Sequence, residues 1–111
     1  MNNTVNGDTL FTVMNKVTIN LQSFNGFRGF EANWDAVRTP SYSYYTDKGG
    51  IVAAEEAFFL TNAPSDLLNA HQMNTIKQYK GHSLSVGDSV TVECEGITEE
   101  YLCDSIGWKK K

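Results

Sequence analysis

A metal centre or a thiol nucleophile in this chain would have to be built from its two histidines and two cysteines, His71, His82, Cys94 and Cys103. Zinc modules hold their ligands in close pairs, because one turn or hairpin presents both to the same ion. Here ten, eleven and eight residues separate the four in order, with no such pair. Thiol catalysis would need Cys94 or Cys103 beside His82, with Asp88 or Asp104 orienting the imidazole. Instead Cys94 falls in phase with Val90 and Val92, which reads as a small core residue. The chain contains no P-loop, dinucleotide fingerprint, nucleophile elbow or HExxH sequence. The expectation is a protein with no cofactor and no metal that is not an enzyme.

Recognition chemistry is better represented. Glu93, Glu95, Glu99 and Glu100, joined by Asp104, crowd one short stretch. Such a run can simply protect a strand edge. Its sharper reading is an exposed acidic patch that docks on a basic, nucleic-acid-binding surface of a host protein. Phe24, Phe27, Phe30, Trp34, Tyr42, Tyr44 and Tyr45 accompany Arg28 and Arg38. A base-stacking surface needs a positive field, and a net charge of −4 works against one. Core packing accounts for most of these rings, leaving Arg28 and Trp34 as candidates for a protein interface. The run Ser83 to Asp88 offers a polar rim for a ligand, yet turn chemistry explains each residue type. Gly87 supplies an unusual backbone angle, Asp88 and the serines bond free backbone groups, and Leu84 and Val86 anchor the turn.

The elements that must position these residues are few. With 111 residues, 41% hydrophobic and 12% aromatic, the chain has material for one core. Residues 1–8 read as a flexible segment and 9–111 as one domain. Val17, Ile19 and Leu21 alternate with polar residues in the period of a half-buried strand. Residues 23–40 lack periodicity and read as a loop with a helical turn around Glu31 to Val37. Tyr42 to Tyr45 read as a strand ended by Asp47 to Gly50. Ile51 to Leu60 is the strongest helix, with Ile51, Val52, Ala54, Phe58 and Phe59 as its apolar stripe. Asn62 and Pro64 stop it, and Ser65 is placed to cap a shorter helix through Leu68 and His71, with Thr75 to Tyr79 as connector. Val90 to Cys94 and Tyr101 to Ile106 form a hairpin around a turn from Glu95 to Glu99. Cys94 then falls opposite about residue 100 or 101, offset from Cys103, so both thiols are expected free. Lys109, Lys110 and Lys111 read as a frayed terminus. The fold class is therefore α+β: an antiparallel sheet whose C-terminal hairpin packs on one or two short helices.

The run Tyr79-Lys80-Gly81-His82-Ser83-Leu84-Ser85-Val86-Gly87-Asp88-Ser89-Val90, followed by Tyr101-Leu102-Cys103-Asp104-Ser105-Ile106-Gly107-Trp108, resembles the YodL-type domain. Glu55 to Asn62 resembles the helix ending in Asn that precedes this motif, so the likeness spans roughly residues 51–108. Gly87 stands where that family commonly has Ser. The resemblance implies a habitat in phages and bacterial mobile elements rather than a reaction. Combined with the acidic domain, it predicts a non-enzymatic accessory protein that binds a host macromolecule, a host protein before a nucleic acid. Inhibition of a host defence system, restriction or CRISPR, is the concrete version. The alternative is a PUA/ASCH-like nucleic-acid-binding module. No apolar run reaches a membrane span and no leader pattern opens the chain, so the expected setting is cytoplasmic and reducing.

Overall fold

Residues 14–23 and 32–111 are described by the structure, a computed structural model. The expected flexible segment 1–8 lies outside them, as do Phe24, Phe27, Arg28 and Phe30. The alternating segments form strands β1 (Asn15–Gln22), β2 (Arg38–Thr46), β3 (Ser89–Cys94), β4 (Ile97–Asp104) and β5 (Gly107–Lys110). They make one antiparallel sheet in the order β2-β1-β3-β4-β5. Helix α1 (Gly50–Asn62), a 3₁₀ turn (Ser65–Leu67) and α2 (Ala70–Ile76) connect β2 to the loop before β3. The architecture is α+β.

Strand pleating turns Val17 and Ile19 of β1, Tyr44 of β2, Val90 and Val92 of β3 and Tyr101 of β4 towards α1. All six are buried. The helix lies over β1, β3 and β4, so the C-terminal hairpin supplies only part of the surface beneath it. Against that surface α1 sets Ala53, Ala54, Ala57 and Leu60. Three small side chains let the helix backbone approach the strands closely, which maximises van der Waals contact. The expected stripe faces the other way. Of its members only Ala54 is buried, while Ile51, Val52, Phe58 and Phe59 keep 40–51% of their surface in water. Spacing identifies the apolar arcs of a helix but not which arc meets the sheet, and α1 has two.

The turns differ from expectation in register. Cys94 pairs with Ile97, so only Glu95 and Gly96 turn the β3–β4 hairpin. Their φ values of 51° and 84° suit the mirror-image two-residue turn, whose twist matches the flanking strands. The C-terminal lysines are not a frayed end. Gly107, at φ 80°, sends the chain back, and Trp108, Lys109 and Lys110 pair with Cys103, Leu102 and Tyr101. Ser65 opens a 3₁₀ turn rather than a helix. The second helix starts at Ala70 and is capped by Asn69, whose side chain accepts from the Gln72 N–H while the Gln72 side chain accepts from the Asn69 N–H. Thr75 and Ile76 belong to that helix instead of a connector. Between β1 and β2 the described turn runs from Asn33 to Ala36.

The loop before β3 is fastened at both ends. At α1, Thr61 Oγ1 accepts from the Leu84 N–H at 3.0 Å, Ser83 Oγ donates to Thr61 O, and Asn62 Nδ2 donates to Leu84 O. At the sheet, Asp88 is 1% exposed. Its carboxylate accepts from the Gln22 N–H at 2.8 Å and from the Ser85 N–H at 3.0 Å. Gly87, at φ 101°, donates its N–H to Cys103 O and accepts from Arg38 Nε at 2.6 Å. The turn reading of Ser83 to Asp88 describes this arrangement.

Four substitutions test this packing. Ile19→Ala, emptying a fully buried site, should cost about 2–5 kcal/mol in denaturant unfolding. Phe58→Ala should cost about 1–2 kcal/mol, from partial burial and one ring pair; equal losses would place the outer arc of α1 in the core. Asp88→Ala orphans the buried Gln22 N–H and the part-buried Ser85 N–H and should cost about 2–4 kcal/mol, with Asp88→Asn milder because one acceptor oxygen remains.

Candidate interaction surfaces

The four glutamates of the hairpin do not form one patch. Glu93 and Glu95 are exposed, on β3 and in the turn. Glu99 lies on the α1 side of the sheet, opposite Val92, and is half-buried. It accepts from Lys110 Nζ at 2.9 Å and from Tyr101 Oη at 2.8 Å. The Lys110 hydrogen bond, then that of Tyr101, holds its carboxyl below the ordinary range. Glu100 points to the other side, also half-buried, and accepts from Ser89 Oγ at 2.8 Å. The expectation of four exposed acids therefore holds for Glu93 and Glu95 and fails for Glu99 and Glu100. Alternation along β4 sends neighbouring residues to opposite faces.

The face away from α1 is polar. Thr18 and Ser43 share a hydrogen bond, and Asn20 Nδ2 donates to Ser89 Oγ and Thr91 Oγ1. At one end of that face stands Trp34, half-buried between two cations. The Arg38 guanidinium carbon lies 5.7 Å and Lys111 Nζ 5.4 Å from its ring centre. Arg38 also donates to the carbonyls of Asn33, Ala36 and Gly87. Trp34 is thus a clasp between the β1–β2 loop and the C-terminal residues, and its candidate partner Arg28 lies outside the described residues.

The surface that spacing did not locate is the outer arc of α1. Ile51, Val52, Phe58 and Phe59 stand there with Glu55, and Phe58 meets Trp108 of β5 edge to face at 6.4 Å. Beside this pair a cleft of about 390 Å³ runs between α1 and the β4–β5 hairpin, lined by Glu55, Phe58, Cys103, Asp104, Ser105, Gly107 and Trp108. The signal was present in the sequence as apolar residues on two arcs of one helix, Ala53, Ala57 and Leu60 on one and Ile51, Val52, Phe58 and Phe59 on the other, of which one sheet can cover only one.

A family model for the YodL-like domain matches residues 9–111, nearly the whole chain and well beyond the stretch that carries the motif. The chain belongs to the YodL-like domain family. Comparison with curated proteins and with solved structures gives no match. The motif of this YodL-like domain, Ser83 to Asp88, is the segment that ties α1 to the sheet, and its C-D-S-I-G-W stretch forms the β4–β5 turn and one wall of the cleft.

Among the described residues, no three His, Cys, Asp or Glu side chains converge as a metal-holding group, and no helix is long and apolar enough to cross a membrane. Both thiols are free. Cys103 is the buried one, opposite Trp108, while Cys94 is half-buried at the hairpin turn, so the core role expected of Cys94 falls to Cys103. Burial, then the carboxylates of Asp88 and Asp104, push the Cys103 thiol from 9.0 up to about 11. It stays protonated at neutral pH, the opposite of an activated nucleophile.

A thiol reagent at neutral pH should therefore modify Cys94 in the native protein much faster than Cys103. Because the folded state holds the Cys103 proton more tightly, that contribution to stability is complete below the ordinary thiol value of 9.0 and is lost as pH rises through about 11. Cys103→Ala should flatten part of this alkaline decline. Equal modification rates for the two thiols in folded protein would refute the assignment.

Proposed function

We propose that this YodL-like domain is a non-catalytic accessory protein of a phage or mobile element that works in the cytoplasm by binding a host protein. Inhibition of a host defence system, restriction or CRISPR, is its concrete form. The observation that carries the reading is the outer arc of α1. A folded domain loses free energy by leaving Ile51, Val52, Phe58 and Phe59 side by side in water, and gains it back when a partner covers them. Aromatic rings in the middle of such a patch are the usual anchors of an interface. The exposed acids Glu93 and Glu95 steer a basic partner at long range rather than hold it. The PUA/ASCH-like alternative draws less support. Its phosphate-binding face would have to lie on a chain of net charge −4, and the polar face of the sheet carries Glu93 and Glu100.

Affinity capture from a host lysate with parent and variant proteins tests this. Val52→Asp with Phe59→Asp should abolish retention of the captured protein while the variant still unfolds cooperatively, at a cost of about 1–3 kcal/mol for two half-exposed residues. Glu93→Lys with Glu95→Lys should slow association at low salt, with a smaller loss at high salt. Retention indifferent to the α1 changes, together with salt-sensitive binding of RNA or DNA, would transfer the function to the nucleic-acid module.

A further inference from the structure

The cleft beside Trp108 has a chemistry more specific than an apolar patch. Its floor is Phe58, Trp108 and Cys103, with the two rings at 89° to each other. At about 390 Å³ it lies in the range of pockets that enclose a small molecule, which is ample for one or two side chains. Two carboxylates, Glu55 and Asp104, stand among its lining residues. Glu55 is exposed and makes no hydrogen bond or ion pair among the described residues. Helix α1 offers it nothing, because the sequence GIVAAEEAFFLTN contains no basic residue. Asp104 has Lys109 at 3.7 Å, a solvent-exposed pair of little strength. An apolar floor beside under-neutralised acids complements one kind of partner surface.

We propose that this cleft docks a peptide segment of a partner protein in which an aromatic or aliphatic side chain sits beside a Lys or Arg. The apolar side chain packs in the cleft against Phe58 and Trp108. The basic one lays its stem along the rings and brings its charge to Glu55 and Asp104. A second copy of this chain is the poorer occupant. It would bring its own α1, with Glu55 and Glu56 and no cation, against the same carboxylates. The inference rests on the protein-binding reading above and names the chemistry of the partner.

Selection of a random peptide display library on the immobilised full-length chain tests it, followed by affinity measurement of the enriched peptides. The enriched sequences should pair an apolar residue with Lys or Arg. Glu55→Lys combined with Asp104→Lys should weaken them about tenfold or more at low salt and less at high salt. Trp108→Ala should weaken them about tenfold at both salt concentrations. Should Trp108→Ala fail to fold, Glu55→Lys alone decides, since Glu55 is exposed and unpaired among the described residues. No enrichment, enriched peptides without basic residues, or affinity unmoved by Glu55→Lys would each overturn the cleft assignment. Peptides lost only through Val52→Asp and Phe59→Asp would also overturn it, while leaving the outer arc of α1 as the binding surface. Host-protein capture that survives those two changes would instead count against the broader reading.

Discussion

The buried carboxylate of Asp88 is the interaction on which the sheet depends. It accepts the buried Gln22 N–H at the end of β1 and the part-buried Ser85 N–H in its own loop. Its backbone carbonyl accepts from Cys103 N–H on β4 at 2.8 Å, and the adjacent Gly87 binds both Cys103 O and Arg38 of β2. Four strands distant in sequence thus meet around one turn. A buried charge is tolerated only when its hydrogen-bonding capacity is filled, and here filling it fixes the loop. That loop then carries Leu84, 1% exposed, into the core and places Ser83 and Leu84 where Thr61 and Asn62 can bind them. The end of α1 is located by the same device that organises the strands.

From that placement follows the two-sided character of α1. A helix held close over a pleated sheet has room for alanine at Ala53, Ala54 and Ala57 and none for phenylalanine. The large apolar residues are turned outward by the closeness that makes the inner contact favourable. Phe58 recovers part of the loss against Trp108, and the cleft opens where the two elements diverge. One arc of the helix holds the core, and the opposite arc is the one proposed for recognition.

Charge is distributed by the same geometry. Consecutive glutamates in β4 are sent to different faces, so Glu99 joins Lys110 and Tyr101 while Glu100 joins Ser89. Those side chains hold the sheet together at its edge. Glu93 and Glu95, on and beyond β3, stay exposed, and Glu55 and Asp104 line the cleft.

Much of the fold was legible in the residues themselves. The alternation of Val17, Ile19, Val90 and Val92, the alanine-rich helix before Asn62 and Pro64, and the turn chemistry of Gly87 and Asp88 are local signals with local causes. The family too was written in the motif, because that motif is the turn that fastens the core. The exposed apolar arc of α1 was not legible in this way. Whether Phe58 or Ala57 faces the sheet, and whether Glu99 and Glu100 share a surface, depends on register and on the distance between packed elements. Both are settled by contacts between residues far apart in the chain, such as Gln22 with Asp88 and Phe58 with Trp108. Sequence determined the elements and their turns; only the tertiary structure decided which apolar arc was left in water, because the closest packing selects small side chains.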